Sequence, residues 1–211
     1  MNKEAILFPF EDYRKIQKEM IEEVVDVLEK KENLVMHAPT GIGKTAILAP
    51  VIAYAKKHDK KVFFLTPRHS QHRIAVDLVK RIKEKYNENV VTVDFLGKMH
   101  MCSMVSDTKT VTSGTFYDYC RYLRRNDMCE YYTNMLSRRT RDDKKLLVKN
   151  LIYRSPEDAE VMKSACGDAK FCPYEIAAKI GEKARVIIGD YYHVFSDSIR
   201  ESLFNRLQIS L

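Results

Sequence analysis

The stretch 36-MHAPTGIGKTAILAP-50 joins a short apolar run to a glycine-containing turn and then to a run of helix-forming residues. Gly41 and Gly43 let backbone N–H groups approach phosphate oxygens, because neither residue carries a Cβ atom. Lys44 brings a positive charge to the phosphates, and the Thr45 hydroxyl is suited to Mg²⁺. The stretch therefore predicts a phosphate-binding loop, between a strand and a helix, for ATP and Mg²⁺.

One position departs from the usual G-x-x-x-x-G-K-[S/T] motif, because Ala38 replaces the first glycine. The remaining positions match, and we include Thr40 among the residues predicted to bind nucleotide. The alternative, a chance glycine-rich turn, is disfavoured by the strand and helix predicted on either side.

A second nucleotide contact is predicted upstream, in 13-YRKIQKEM-20. Arg14 and Gln17 stand three residues apart and so share one face of a helix. A glutamine side chain can both donate to and accept from an adenine edge. An ordinary polar helix face is the alternative.

Apolar runs of strand length alternate with amphipathic helical runs in the first hundred residues, and a strand pattern returns near the end. This order predicts an α/β fold with a parallel sheet. Strands are predicted at 33–39, 61–67, 89–95 and 184–195, and helices at 11–30, 45–58 and 72–86.

The alternation stops between residues 98 and 172, which hold all five cysteines and almost no strand-like run. We interpret this region as a mainly helical module inserted in the α/β domain. The predicted boundaries are 1–97 for the first part of the domain, 98–180 for the insertion and 181–211 for the return to the domain.

The cysteine spacing contains no C-x₂-C pair, which argues against zinc fingers and ribbons. An iron–sulfur cluster needs four thiolates but tolerates varied spacing. Free cysteines that simply fill a core are the alternative.

Two predicted helix ends distinguish the thiols. Residues 155–158, Ser-Pro-Glu-Asp, are typical of a helix start, with a capping serine and proline at the first position; Gly167 is expected to end that helix. Cys166 then lies at a helix C-terminus, which disfavours a thiolate. Cys172 precedes a proline and a helical run that Gly181 should end, and a helix N-terminus favours a thiolate.

We therefore predict that an iron–sulfur cluster is held by Cys102, Cys120, Cys129 and Cys172 and that Cys166 is not a ligand.

The net charge of +7 suits a polyanionic partner. Tyrosines and arginines alternate around the cysteines, as in 116-FYDYCRY-122, and this pattern is typical of single-stranded nucleic-acid binding. Tyrosines that only cover a cluster, with solvated basic residues, are the alternative. No apolar run is long enough to span a membrane and no signal peptide is evident, so we expect a protein that is neither membrane-bound nor secreted.

Together these motifs resemble the N-terminal part of the XPD family of superfamily 2 DNA helicases, which are relatives of DinG. The resemblance rests on 8-FPFEDYRKIQKEM-20, 38-APTGIGKT-45, 64-FLTPRHSQHRIAVDLV-79, 172-CPY-174 and 186-VIIGDYYHVFSD-197, with the spread cysteines. It implies a RecA-like motor domain carrying an inserted [4Fe–4S] domain. It also implies ATP-driven 5′→3′ movement on single-stranded or fork DNA, in DNA repair, within an archaeal-type cytoplasm or a eukaryotic nucleus.

The resemblance also implies site residues. It matches the same four cysteines to the cluster, makes Arg14 and Gln17 adenine contacts, and places 66-TPRHSQ-71 at a motif that touches the DNA backbone. Lys98 stands where relatives often carry arginine, so a basic contact survives without the guanidinium fork. The predicted DNA contacts are Arg68, Gln71, Lys98 and Tyr174.

The D-E-A-H box of such motors is absent from these 211 residues. Asp190 follows an apolar strand, but Tyr191 stands where the glutamate would be, and tyrosine is a poor base at neutral pH. We therefore expect a portion of a helicase that binds ATP weakly, hydrolyses none alone and lacks the rest of the motor. The alternatives are a stand-alone iron–sulfur DNA-binding module and a zinc-bound scaffold with a structural phosphate loop.

Overall fold

Three short parallel strands form the sheet, in the order β1 (Val62–Leu65), β3 (Val186–Gly189), β2 (Thr92–Phe95). In register, Val186 lies beside Val62 on one side and Thr92 on the other. The structure, a computed structural model, describes residues 4–105 and 112–209. The predicted α/β fold with a parallel sheet and many helices is confirmed.

Helices occupy most of the remaining described chain. Their bounds are α1 Gln17–Lys30, α2 Leu48–Lys57, α3 His69–Tyr86, α4 Lys98–Met101, α5 Ser113–Arg125, α6 Glu130–Leu136, α7 Arg141–Arg154, α8 Ala159–Asp168, α9 Pro173–Lys183, α10 Tyr192–Phe195 and α11 Asp197–Leu207. None of these helices in the described ranges is long and apolar enough to cross a membrane.

Strand β3 lies at the centre of the core and is buried on both faces. Val186 and Ile188 point to one side, where they pack with α2 and α3. Ile187 points to the other side, among residues of α8, α9 and α11. A strand buried on both faces is expected to be continuously apolar, as 186-VIIG-189 is.

The described residues between β2 and β3 are mainly helical, as predicted, and comprise α4 to α9. Ser155, between α7 and α8, closes the open edge of β2: its hydroxyl accepts from the Thr92 N–H at 2.7 Å and donates to the Thr92 carbonyl at 2.9 Å. A side chain thus satisfies groups that a further strand would otherwise pair. The division at residues 98 and 180 stays a prediction.

The strand predicted at 33–39 is wrong, because these residues form no strand. Val35 is 98% exposed, and Leu34 and Met36 are each 37% exposed. A strand is stable only when neighbours pair its backbone, and no described strand pairs with this segment. Apolar composition alone was therefore misleading here.

The predicted helix ends are also wrong in detail. Ser155 caps the end of α7 and binds β2, so α8 begins only at Ala159, with Asp158 as its capping residue. Gly167 and Gly181 lie inside α8 and α9 and do not end them. The helix predicted from residue 11 begins at Gln17.

Candidate functional site

The phosphate loop has the backbone that its glycines predict. Gly41 and Gly43 adopt φ values of 87° and 80°, in the left-handed region that favours glycine. A Cβ atom on Gly43 would lie 2.6 Å from the Gln17 side-chain nitrogen. A larger residue at position 43 would therefore strain the backbone and also displace Gln17.

Arg14 and Gln17 contact the loop itself. The Arg14 guanidinium donates to the Gly41 carbonyl at 2.9 Å, and Gln17 Nε2 donates to the Gly43 carbonyl at 3.2 Å. Gln17 Oε1 accepts from the Arg14 amide at 3.0 Å, so both ends of this buried amide are engaged within the protein. The structure thus brings both residues to the predicted nucleotide site, where they hold the loop; the adenine contact stays a prediction.

Lys44 and Thr45 follow in a short 3₁₀ turn, Lys44–Ile47, that leads into α2. The Lys44 ammonium donates to the carbonyls of Ala38 and Pro39, at 3.1 and 2.8 Å. Thr45 lines a cavity of about 240 Å³ together with Phe10, Arg14, Gln17 and residues of α3. Thr40 is exposed at the start of the loop.

The four cysteines predicted as ligands line one cavity. They come from four separate places: the end of α4, the middle of α5, the residue before α6 and the residue before α9. The wall of this cavity includes Cys102, Cys120, Cys129 and Cys172, with Lys98 and Arg124, and it excludes Cys166. Among the described residues, no acidic side chain lines it.

This cavity suits thiolate ligation by its chemistry more than by its present geometry. It is a small cavity of about 30 Å³. Within residues 4–105 and 112–209, no three histidine, cysteine or acidic side chains form a ready metal site. Four thiols with two nearby cations fit the charge of an iron–sulfur cluster, but the thiols would have to rearrange to bind it.

Burial dominates the chemistry of these thiols. It raises the pKa of Cys172 to about 11, although hydrogen bonds from the backbone amides of Glu175 and Tyr174 act in the opposite direction. The expected thiolate-favouring helix end is therefore present, but its effect is outweighed. Burial likewise raises the pKa of Cys102, and it raises that of the fully buried Cys166 to about 12.

A basic and aromatic groove adjoins the cysteines. One cavity of about 370 Å³ is lined by Lys98, Tyr117, Cys120, Arg121, Arg124, Arg125 and Tyr132. A second of about 370 Å³ shares Lys98 and Tyr117 and extends to His69, Asp190 and Tyr192. The second lies where β2 and β3 end, at the carboxyl edge that commonly binds ligands in parallel sheets.

The predicted DNA contacts lie along this groove or beside it. Lys98 and Tyr174 are brought together, with the ammonium 5.2 Å from the ring centroid, and burial lowers the pKa of Lys98. Arg68 is the residue before α3 and Gln71 lies in its first turn; both are exposed, near His69. Tyr174 is half-buried against Phe95, so only part of its ring faces the groove.

Sequence reasoning missed Glu175, which anchors this region. Its carboxylate lies 2.5 Å from Arg206 of α11 and 3.5 Å from Arg124 of α5. Arg124 also lies 3.8 Å from the centroid of the Tyr132 ring. The carboxylate directly follows 172-CPY-174, but its partners are 51 residues before and 31 after it, so no local signal identifies them.

The chain matches one protein-family model and is similar to several known proteins. The DEAD_2 family model matches residues 64–210. The chain is 24% identical over 230 residues to a regulator of telomere elongation helicase 1 homolog of Caenorhabditis briggsae, covering 94% of this chain and 22% of that protein. The Caenorhabditis elegans homolog is 25% identical over 227 residues, with 93% and 22% covered.

A probable ATP-dependent helicase of Methanocaldococcus jannaschii is 38% identical over 73 residues, which are 34% of this chain and 11% of that protein. The chain thus spans about a fifth of the length of the two nematode relatives. Since the family model covers more than half of its residues, the chain belongs to the DEAD_2 family.

Proposed function

We propose that this chain is the nucleotide-binding and iron–sulfur portion of an XPD-type ATP-dependent DNA helicase, a 5′→3′ motor of DNA repair. Four cysteines scattered over 71 residues meet at one cavity beside a phosphate-loop α/β domain, and this observation carries the proposal. Helicase relatives that align with most of the chain support it. In this proposal residues 1–97 and 181–211 belong to a RecA-like domain, and 98–180 form the insertion.

The cluster ligands in this proposal are Cys102, Cys120, Cys129 and Cys172. A bound [4Fe–4S] cluster would cross-link the segments that carry these cysteines and so stiffen the insertion. Lys98 and Arg124 line the same cavity and offset the negative charge of the thiolates. The protons of the buried thiols must leave on binding, so assembly is favoured by higher pH.

At the nucleotide site, the present position of each residue supports a separate role in binding ATP and Mg²⁺. Lys44 is already held over the loop by two carbonyls, from which it can turn to phosphate oxygens. Thr45 supplies a hydroxyl for Mg²⁺, and the amides of residues 40–45 supply hydrogen-bond donors. Arg14 and Gln17 keep the loop open by bonding its carbonyls.

Single-stranded or fork DNA is the proposed polymer substrate. The groove carries four cations and two tyrosines, which fits a phosphate backbone with stacked bases. Arg68 and Gln71 extend the basic surface along the first turn of α3. Contacts of this kind position a DNA strand but do not recognise its base sequence.

A second candidate function is an iron–sulfur DNA-binding module that does not turn over ATP. Tyr191 favours it, because Asp190 has no adjacent glutamate to activate water. The two candidates differ in nucleotide binding, which only the first requires.

Substituting Lys44 tests nucleotide binding. Lys44→Ala should weaken ATP·Mg²⁺ binding about tenfold or more by calorimetry, because a charge-assisted hydrogen bond contributes about 1.5–3 kcal/mol. Lys60→Ala, an exposed lysine between α2 and β1, is the matched control and should bind like the parent chain. The parent chain and both variants should hydrolyse no ATP. ATP turnover by the parent chain that Lys44→Ala abolishes would contradict the predicted inactivity.

Matched cysteine substitutions test the ligand set. Cys129→Ala should lose most of the iron that the parent chain retains after anaerobic reconstitution. Cys166→Ala should keep its iron, because Cys166 lies outside the cavity. Circular dichroism checks that both variants are folded. Equal iron loss in the two variants would show that the assignment of Cys166 is wrong.

The salt dependence of binding to a single-stranded oligonucleotide tests the groove. Arg68→Ala should weaken binding and reduce the slope of log K against log salt by about 0.7, since one phosphate contact is lost. Arg154→Ala removes an arginine that pairs with Glu157 near the opposite end of β2. If Arg154→Ala changes the slope as much as Arg68→Ala, the proposed path of the strand is wrong.

A further inference from the structure

A buried carboxylate joins the phosphate-loop domain to the inserted helices. Asp94 of β2 is 4% exposed, and its Oδ1 lies 2.6 Å from Nδ1 of His72, which is 2% exposed. A hydrogen bond joins the two side chains, and with an ionised Asp94 its donor would be the Nδ1–H of the imidazole. The pair links the sheet to the first turn of α3.

The second oxygen of the same carboxylate reaches the insertion. Asp94 Oδ2 accepts the backbone N–H of Ala159, the first residue of α8, at 3.0 Å. The positive end of a helix dipole stabilises a negative charge at this place. A buried carboxylate is costly unless its oxygens are satisfied, and here two different elements satisfy it.

The two elements that meet at Asp94 carry different parts of the proposed site. His72 directly follows Gln71, and the backbone N–H of Gln71 donates to the Arg68 carbonyl at 2.9 Å. On the other side, Lys163 of α8 donates to the His100 carbonyl at 2.9 Å, two residues before Cys102. Helix α8 also packs against α9, which begins directly after Cys172.

His72 has one further property that makes it a specific anchor. Its Nε2 is buried and has no hydrogen-bond partner within residues 4–105 and 112–209. Among the described residues, the imidazole nitrogens are therefore held by Asp94 alone. Turning the ring away would leave Nδ1 of His72 and Oδ1 of Asp94 without their mutual hydrogen bond.

We propose that His72 and Asp94 are positioning residues that fix the 66–71 segment relative to the cysteine-bearing insertion. A displacement of the first turn of α3 is then transmitted through Asp94 to the first turn of α8. The link rests on hydrogen bonds present in the chain; its use in coupling DNA contact to the insertion rests on the proposed function.

Amide hydrogen exchange in the DNA-free chain tests the link directly. His72→Leu removes the donor to Asp94 but does not touch Ala159, which is in another element. The exchange rate of the Ala159 amide should rise about tenfold or more relative to amides of α2, which report overall stability. His72→Asn keeps a donor near the position of Nδ1 and should keep the parent rate within about threefold. His58→Leu, at an exposed histidine after α2, is the matched control.

Equal Ala159 exchange in His72→Leu and the parent chain would overturn the proposal, as would equal acceleration in His72→Leu and His72→Asn. If His72→Leu does not fold, the ¹⁵N shifts of the His72 imidazole in the parent chain decide: a proton on Nδ1 is expected, and a proton on Nε2 overturns the proposal. Oligonucleotide affinity is measured separately. A chain that shows the exchange effect but binds no DNA would refute the DNA-binding function and leave the link intact.

Discussion

The central place of β3 is the constraint on which the rest of the structure depends. This strand is the last of the three along the chain, yet it lies between the other two and is buried on both faces. The 90 residues between Phe95 and Val186 must therefore leave the sheet and return to its middle. Within the described ranges, helices α7, α8 and α9 of this region contribute to the hydrophobic core on one face of the sheet.

The packing of the helices between β2 and β3 explains why the four cysteines come together. Among the segments that carry the four predicted ligands, α9 packs on β2, and α4 packs on α5 and α9. Burial keeps the protons on Cys102 and Cys172, as their raised pKa values indicate. Metal binding and local folding are coupled in sites of this kind, because the ligands must lose their protons and the site is rarely formed before the metal binds.

Local patterns predicted those features that short-range chemistry determines. The glycine positions predicted the phosphate loop, and the alternation of apolar runs predicted two of the first three strands and the helices α1, α2 and α3. Local patterns did not predict contacts between residues that are far apart in the sequence. The segment 33–39 has strand composition but no partner strand among the described residues, and Cys172 occupies the expected helix end with a pKa set by burial. Likewise, the His72–Asp94 pair and the partners of Glu175 join elements that only the tertiary fold brings together.

The function proposed for the chain depends most on whether the cysteine cavity binds an iron–sulfur cluster or zinc. The direct measurement is iron, sulfide and zinc content, with a visible spectrum, on the unmodified chain purified without oxygen. We predict about four irons and four sulfides per chain, with a broad visible band that bleaches on reduction. One zinc per chain, without iron or sulfide and without a visible band, would contradict the iron–sulfur assignment and favour a zinc-bound scaffold.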